Sequence, residues 1–125
     1  MKEFKLYPLS GGIHVTDLIS CFSEERQCGF RFSGEMHNFW EMVYIREGSA
    51  FVAEEERVTE LRQGMFILHA PMAFHRIWCE NENATVMISA FAANGPLTAR
   101  LKGRTGVRLK FQRRTRLKVV TRTSM

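Results

Sequence analysis

The feature that most constrains this chain is the spacing of its turn signals. Short runs rich in β-branched and aromatic residues recur along it, and about every 8–12 residues a Gly, Pro or Asn cluster interrupts them. Residues 3–9 alternate and end at Ser10-Gly11-Gly12; residues 13–20 read equally as a strand or a short helix. Residues 28–32 form a short strand candidate, and Met42-Val43-Tyr44-Ile45 a stronger one that should stop at Glu47-Gly48. Residues 50–53 and 57–61 flank Glu54-Glu55-Glu56, the pattern of a hairpin with an acidic, solvated tip. Gln63-Gly64, Pro71, Asn81-Glu82-Asn83 and Asn94-Gly95-Pro96 then bound runs at residues 65–68, 74–79 and 84–92. Roughly eight turn-bounded short strands imply an antiparallel sandwich or barrel. A parallel α/β fold would need amphipathic helices of about 10–15 residues between strands, and the sequence has none.

The chain has 125 residues, enough for one core, and its 14 aromatics (10 Phe, 2 Trp, 2 Tyr) can furnish it. No apolar run approaches the roughly 18 residues of a membrane span. The start, Met1-Lys2-Glu3-Phe4-Lys5, does not read as a signal peptide. Three cysteines (Cys21, Cys28, Cys79) without close pairing argue against a disulfide framework, so a cytoplasmic location is expected. The net charge of +5 hides an asymmetry. Residues 1–99 hold 8 basic and all 13 acidic side chains, a net −5, whereas residues 100–125 hold 10 basic side chains and no acid. The expected organisation is therefore a β domain over residues 1–97 and a basic, poorly ordered tail over residues 98–125. In that tail Leu109, Phe111, Leu117, Val119 and Val120 admit only a weak strand. The tail could meet nucleic acid non-specifically through phosphates, but a solvated tail without a partner is the simpler reading.

One region concentrates potential ligands. Glu35 and His37 have strand spacing and share a face, and Glu41 has the same parity. A straight strand would hold His37 and Glu41 about 13 Å apart. They can converge only if the chain bends near residues 38–40, and His75 must join them from another strand, as inward-facing residues do in a barrel. On a helix, His37 and Glu41 would also share a face, but Val43, Ile45 and Gly48 disfavour that alternative. His14 and His69 show no partner pattern and read as structural or exposed.

The spacing resembles that of the cupins. Gly29, Glu35-Met36-His37, Glu41 and Gly48 lie in register with their first motif, with Glu35 in place of its first histidine. Gly64 and His75 lie in register with the second, although Ala70, Met72 and Cys79 replace its Pro, Gly and Asn, and Pro71 is shifted by one. More narrowly, His37, Phe39, Trp40, Glu41, Gly48, Leu61, Gly64, Pro71 and His75 resemble the amino-terminal sensing domain of AraC-type transcription regulators, to about residue 97. The resemblance implies an all-β antiparallel jelly-roll barrel that binds a small-molecule effector, often as a homodimer. Such regulators continue into paired helix-turn-helix units, which the tail does not resemble. The compositional break near residues 99–105 is what a truncated or frame-shifted regulator gene would produce.

Two chemistries stay open for the cluster. Glu35, His37, Glu41 and His75 could hold a divalent transition metal (Zn, Mn, Fe or Ni), since imidazole and carboxylate suit all four. Alternatively they line a metal-free polar pocket and contact the effector. Trp40 could stack on a ligand and Cys79 could face the pocket, though core packing competes for both. The expected function is effector sensing rather than catalysis. A small metal-dependent cupin enzyme, an isomerase or a dioxygenase, is the alternative.

Overall fold

The computed structural model describes residues 12–96, residue 98, and residues 107–112 and 116–121, the last two segments as backbone. The strand expected at residues 3–9 lies outside the described residues.

The described residues form eight strands: β1 (His14–Arg26), β2 (Trp40–Glu54), β3 (Arg57–Arg62), β4 (Met65–His69), β5 (His75–Trp78), β6 (Ala84–Asn94), β7 (Val107–Gln112) and β8 (Arg116–Thr121). All pairings are antiparallel, and the main path runs β1-β6-β2-β4-β7-β8, with β3 and β5 also paired to β2. The ambiguous segment after residue 13 is thus strand β1, and the helical alternative around Glu41 gives way to β2. The weak strand that the tail admits is realised as β7 and β8, which extend the sheet from β4.

β2 organises the molecule. Its first half lies between β6 and β4; from Ser49 to Glu54 it pairs instead with β3, and from Phe51 with β5. The expected stop at Gly48 is therefore a corner, not an end. A register shift between Ile45 and Glu47 inserts an extra residue, which bends a strand and reverses which residues face inward. Before the bulge Glu41, Val43 and Ile45 are buried; after it Ala50, Val52 and Glu54 are. Gly48, at φ +77°, allows the corner: a Cβ there would lie 2.0 Å from the Asn83 carbonyl oxygen.

This parity change overturns one expectation. The hairpin between β2 and β3 is present, with Glu54 opposite Arg57, but only Glu55 and Glu56 are exposed. Glu54 is turned inward and is 3% exposed. The segment at residues 28–32 is likewise not a strand but a connection held to β5 by an isolated bridge, Arg31 to Trp78.

The core is built from Val43, Ile45, Val52, Leu61, Ile67 and Val86, with Cys79 and small alanines between them. At about 25 cal/mol per Å² of apolar surface, each large member contributes roughly 1.5–3 kcal/mol.

Candidate functional site

Four side chains from two stretches of chain, residues 35–41 and His75, meet inside the sheet. Glu41 enters from β2, opposite Ala90 on β6 and His69 on β4. His75 opens β5, opposite Glu54. Glu35 lies across from His75 in an isolated bridge closed by two backbone hydrogen bonds, 2.9 and 3.0 Å long. His37 follows, and the chain bends at Asn38 and Phe39 before β2 begins. The bend needed for convergence is therefore present. The β2–β3 hairpin tip steadies the start of β5, because the Glu55 N–H donates to the Phe74 carbonyl and the Phe74 N–H to Glu55 Oε1.

The ligating atoms of Glu35, His37, Glu41 and His75 all lie within 4.8 Å of one another. His37 Nε2 stands 3.5 Å from Glu35 Oε1 and 3.5 Å from Glu41 Oε1. His75 Nε2 stands 3.3 Å from Glu35 Oε1 and 2.9 Å from Glu41 Oε2. Ligands about 2.1 Å from a tetrahedral ion are about 3.4 Å apart, so these spacings fit a metal. The outer nitrogens fit as well. His37 Nδ1 donates to the Phe39 carbonyl and His75 Nδ1 to the Ala73 carbonyl, which aims both Nε2 atoms inward as metal-binding histidines require. His37 Nε2 is buried without a hydrogen-bond partner among the described residues. These residues could hold a divalent ion. Glu35, with its side chain 43% exposed, forms the open side of the cluster.

The electrostatics follow from burial against mutual contact. Burial alone would raise the Glu41 carboxyl, but the hydrogen bond from His75 and the nearby charges of His75, His69 and His37 hold it below its usual value. Burial would lower His75, yet its bond to Glu41, its donation to Ala73 and the carboxylates of Glu41 and Glu35 raise it. Burial dominates at His69 and lowers it despite its bond to Glu54. A raised histidine stabilises the fold fully below the ordinary value of 6.5, and that contribution fades as pH rises through the raised value. A lowered carboxylate contributes above 4.5 and fades as pH falls through the lowered value. In chelator-treated protein, His75→Gln should therefore destabilise most between pH 4.5 and 6.5, and progressively less as pH rises toward 8. Urea titrations of both proteins across pH measure this; a destabilisation that grows with pH would contradict the ion pair.

The sequence did not point to His69. It is fully buried, its ring stacks on His75 at 4.3 Å between centroids, and its Nδ1 donates to Glu54 Oε1 at 3.1 Å. Of the two readings expected for it, structural or exposed, burial excludes the second, and the residue also lies along a cavity. Glu54, inverted by the bulge, was the signal out of reach. The cavity has a volume of about 190 Å³; its polar lining is Glu35, Glu41, His69 and His75 together with Arg26 and Arg76, and Phe22, Phe30, Phe32, Val52, Ile77 and Ile88 are among its apolar lining. Trp40 and Cys79 are buried, 3% and 1% exposed. Neither is among the residues lining the cavity, and Cys79 packs in the apolar core, where burial raises its thiol. His14 is exposed on β1. No helix among the described residues is long and apolar enough to cross a membrane.

The fold matches solved structures. A cupin protein from Bacteroides fragilis superposes with a TM-score of 0.54 at 14% identity, over 74% of this chain and 86% of that one. A cupin superfamily protein from Desulfitobacterium hafniense gives 0.54 at 11% identity, over 70% and 84%. A predicted oxalate decarboxylase from Thermotoga maritima gives 0.57 at 13%, over 60% and 67%. At such identities the likeness establishes the cupin jelly-roll fold alone. No curated protein matches the chain. The model of the AraC-like ligand binding domain matches residues 18–117, a span that holds the bulged β2, the polar cluster and the cavity, and the chain belongs to that family.

Proposed function

We propose that this chain is the small-molecule-sensing domain of an AraC-type transcription regulator. The observation that carries the reading is the cavity: an apolar chamber with a few convergent polar groups is the form of a small-molecule site. The effector would enter past Phe22 and Phe32, which are 40% and 37% exposed, and set polar groups against Glu35, Glu41 and His75. Its binding would act on transcription through differential affinity for two states of a dimer or of a connection to a DNA-reading unit. The part proposed for the described residues is effector recognition.

The test is a screen of the purified, metal-free chain by thermal shift and native mass spectrometry. A true effector at about 100 times its Kd should add about 2.7 kcal/mol of stability. Glu41→Gln should weaken that effector by at least about tenfold, since it weakens a charged hydrogen bond in the cavity wall. A screen that yields no ligand, or a ligand indifferent to Glu41, would count against sensing.

The donor spacing favours a second reading, a small metal-dependent cupin enzyme such as an isomerase or a dioxygenase. A bound divalent ion would supply Lewis acidity toward a substrate oxygen. Glu35, the most exposed of the four, would be the group to hold or move a proton. Stoichiometric metal in freshly purified protein would favour this reading.

A further inference from the structure

The four-residue cluster accounts for the charge at one end of the cavity. Arg26 sets the other. In the β1–β6 pairing Arg26 stands opposite Ala84, Glu24 opposite Val86 and Phe22 opposite Ile88. Ala84 and Val86 are buried in the core, 1% and 0% exposed, and residues directly paired across strands share a sheet face. Arg26 therefore sits on the inward face of β1, and it lines the cavity. Glu41 pairs with Ala90, farther along the same strand β6. The stretch from Ala84 to Ala90 spans about 20 Å. Arg26 and the carboxylate of Glu41 thus enter from opposite ends, with the cavity-lining Val86 and Ile88 between them.

The guanidinium is only partly engaged. It lies 4.5 Å above the centroid of the Phe30 ring, and Phe30 also lines the cavity. One terminal nitrogen, Nη2, meets Glu24 Oε2, and no other acceptor among the described residues holds the group. Glu24 is not among the cavity-lining residues. Its side chain is 41% exposed and that of Arg26 29% exposed, so the pair is half-solvated and holds weakly. A guanidinium carries five N–H donors in a planar fork that matches a carboxylate, and a second carboxylate can dock on the nitrogens that Glu24 leaves free. Arg76 lines the cavity as well, but its guanidinium lies 5.2 Å over the Trp78 ring, which does not line it.

Size and lining set the rest of the ligand. An apolar cavity of about 150 Å³ accepts benzene, so the roughly 190 Å³ here suits a ring with one or two small substituents. Phe22, Phe30, Val86 and Ile88 give that ring an apolar surround. Glu35 and Glu41 disfavour a like charge at their end, which orients an anionic group toward Arg26.

We propose that Arg26 binds the carboxylate of the effector, and that the effector class is a small apolar monocarboxylic acid of about the size of benzoate. The proposal rests on the sensing function above and names its ligand class.

Benzoate and benzamide, nearly equal in shape and different in charge, are the probes, titrated into the metal-free full chain with ¹⁵N-labelled arginine. Benzoate should bind at least about tenfold tighter than benzamide and move the Arg26 Nε resonance. Arg26→Met, which keeps the apolar stem, should erase that preference and leave benzamide unchanged, and Arg26→Lys should restore part of it. If Arg26→Met fails to fold, the ¹⁵N shift in the native chain still decides. Should neither probe bind, a carboxylate effector from the library screen that weakens at least about tenfold in Arg26→Met would support the assignment. Equal binding of the two probes, a shift confined to Arg31 or Arg76, a preference that survives Arg26→Met, or a screened effector without an anionic group would overturn it and leave the sensing function standing. A library screen with no ligand at all would remove both.

Discussion

Gly48→Val should cost about 4 kcal/mol, combining a left-handed backbone angle for a β-branched residue with a backbone clash. Gly48 sits at φ +77°, and its added Cβ would meet the Asn83 carbonyl oxygen at 2.0 Å, its carbonyl carbon at 3.0 Å and Ala84 Cα at 3.1 Å. None of these is a flexible side-chain end. Relief would require β2 and β6 to part where Gly48 pairs with Ala84. The loss approaches the whole stability of a small domain, about 5–15 kcal/mol. Gly64→Ala is the matched control. Its φ is +82° with nothing within 4 Å of the new Cβ, so only the conformational penalty of about 1 kcal/mol should appear. Urea titrations of the two variants measure the difference. Equal losses would mean that the β2 corner does not press on Asn83.

His75→Ala should lower affinity for Zn²⁺ by more than about 100-fold, beyond the 10–100-fold typical of losing a residue that merely orients a ligand. His75 reaches the cluster from β5, whereas Glu35, His37 and Glu41 come from one continuous stretch, so its loss removes the donor that closes the cluster from the second stretch. Alanine also strips Glu41 of its 2.9 Å partner. The His75 ring faces acceptors at both nitrogens. A metal must therefore displace its Nε2 proton, and Zn²⁺ affinity of the native chain should fall about tenfold per pH unit below the raised value of His75. Competition titration against a chromophoric chelator reads both effects. His14→Ala, on exposed β1, should change neither. Native protein that takes up no zinc at micromolar concentration would leave the cluster as a polar effector pocket.

The cluster was legible in the sequence because three of its members obey local rules. Glu35, His37 and Glu41 share strand parity and the bend at Asn38 and Phe39 falls where convergence demanded it, while His75 was singled out by the resemblance to the second cupin motif, in register with Gly64. What escaped was the facing of β2 beyond the bulge. Strand parity read from Glu41 places Glu54 outward, and three consecutive glutamates read as a solvated tip. One inserted residue between Ile45 and Glu47 reverses that, buries Glu54 and gives His69 a partner.

The chain's pattern of short β-branched runs and turn residues determined an antiparallel β fold and set Glu35, His37 and Glu41 on one face, because alternation and turn chemistry act over a few neighbours. Only the tertiary structure decided that β2 turns a corner through Gly48, that Glu54 faces inward, and that His69 stands on the cavity wall. A bulge depends on the strands packed on either side of it, and that pairing joins residues such as Glu47 and Thr85, too distant in sequence for any local pattern to record.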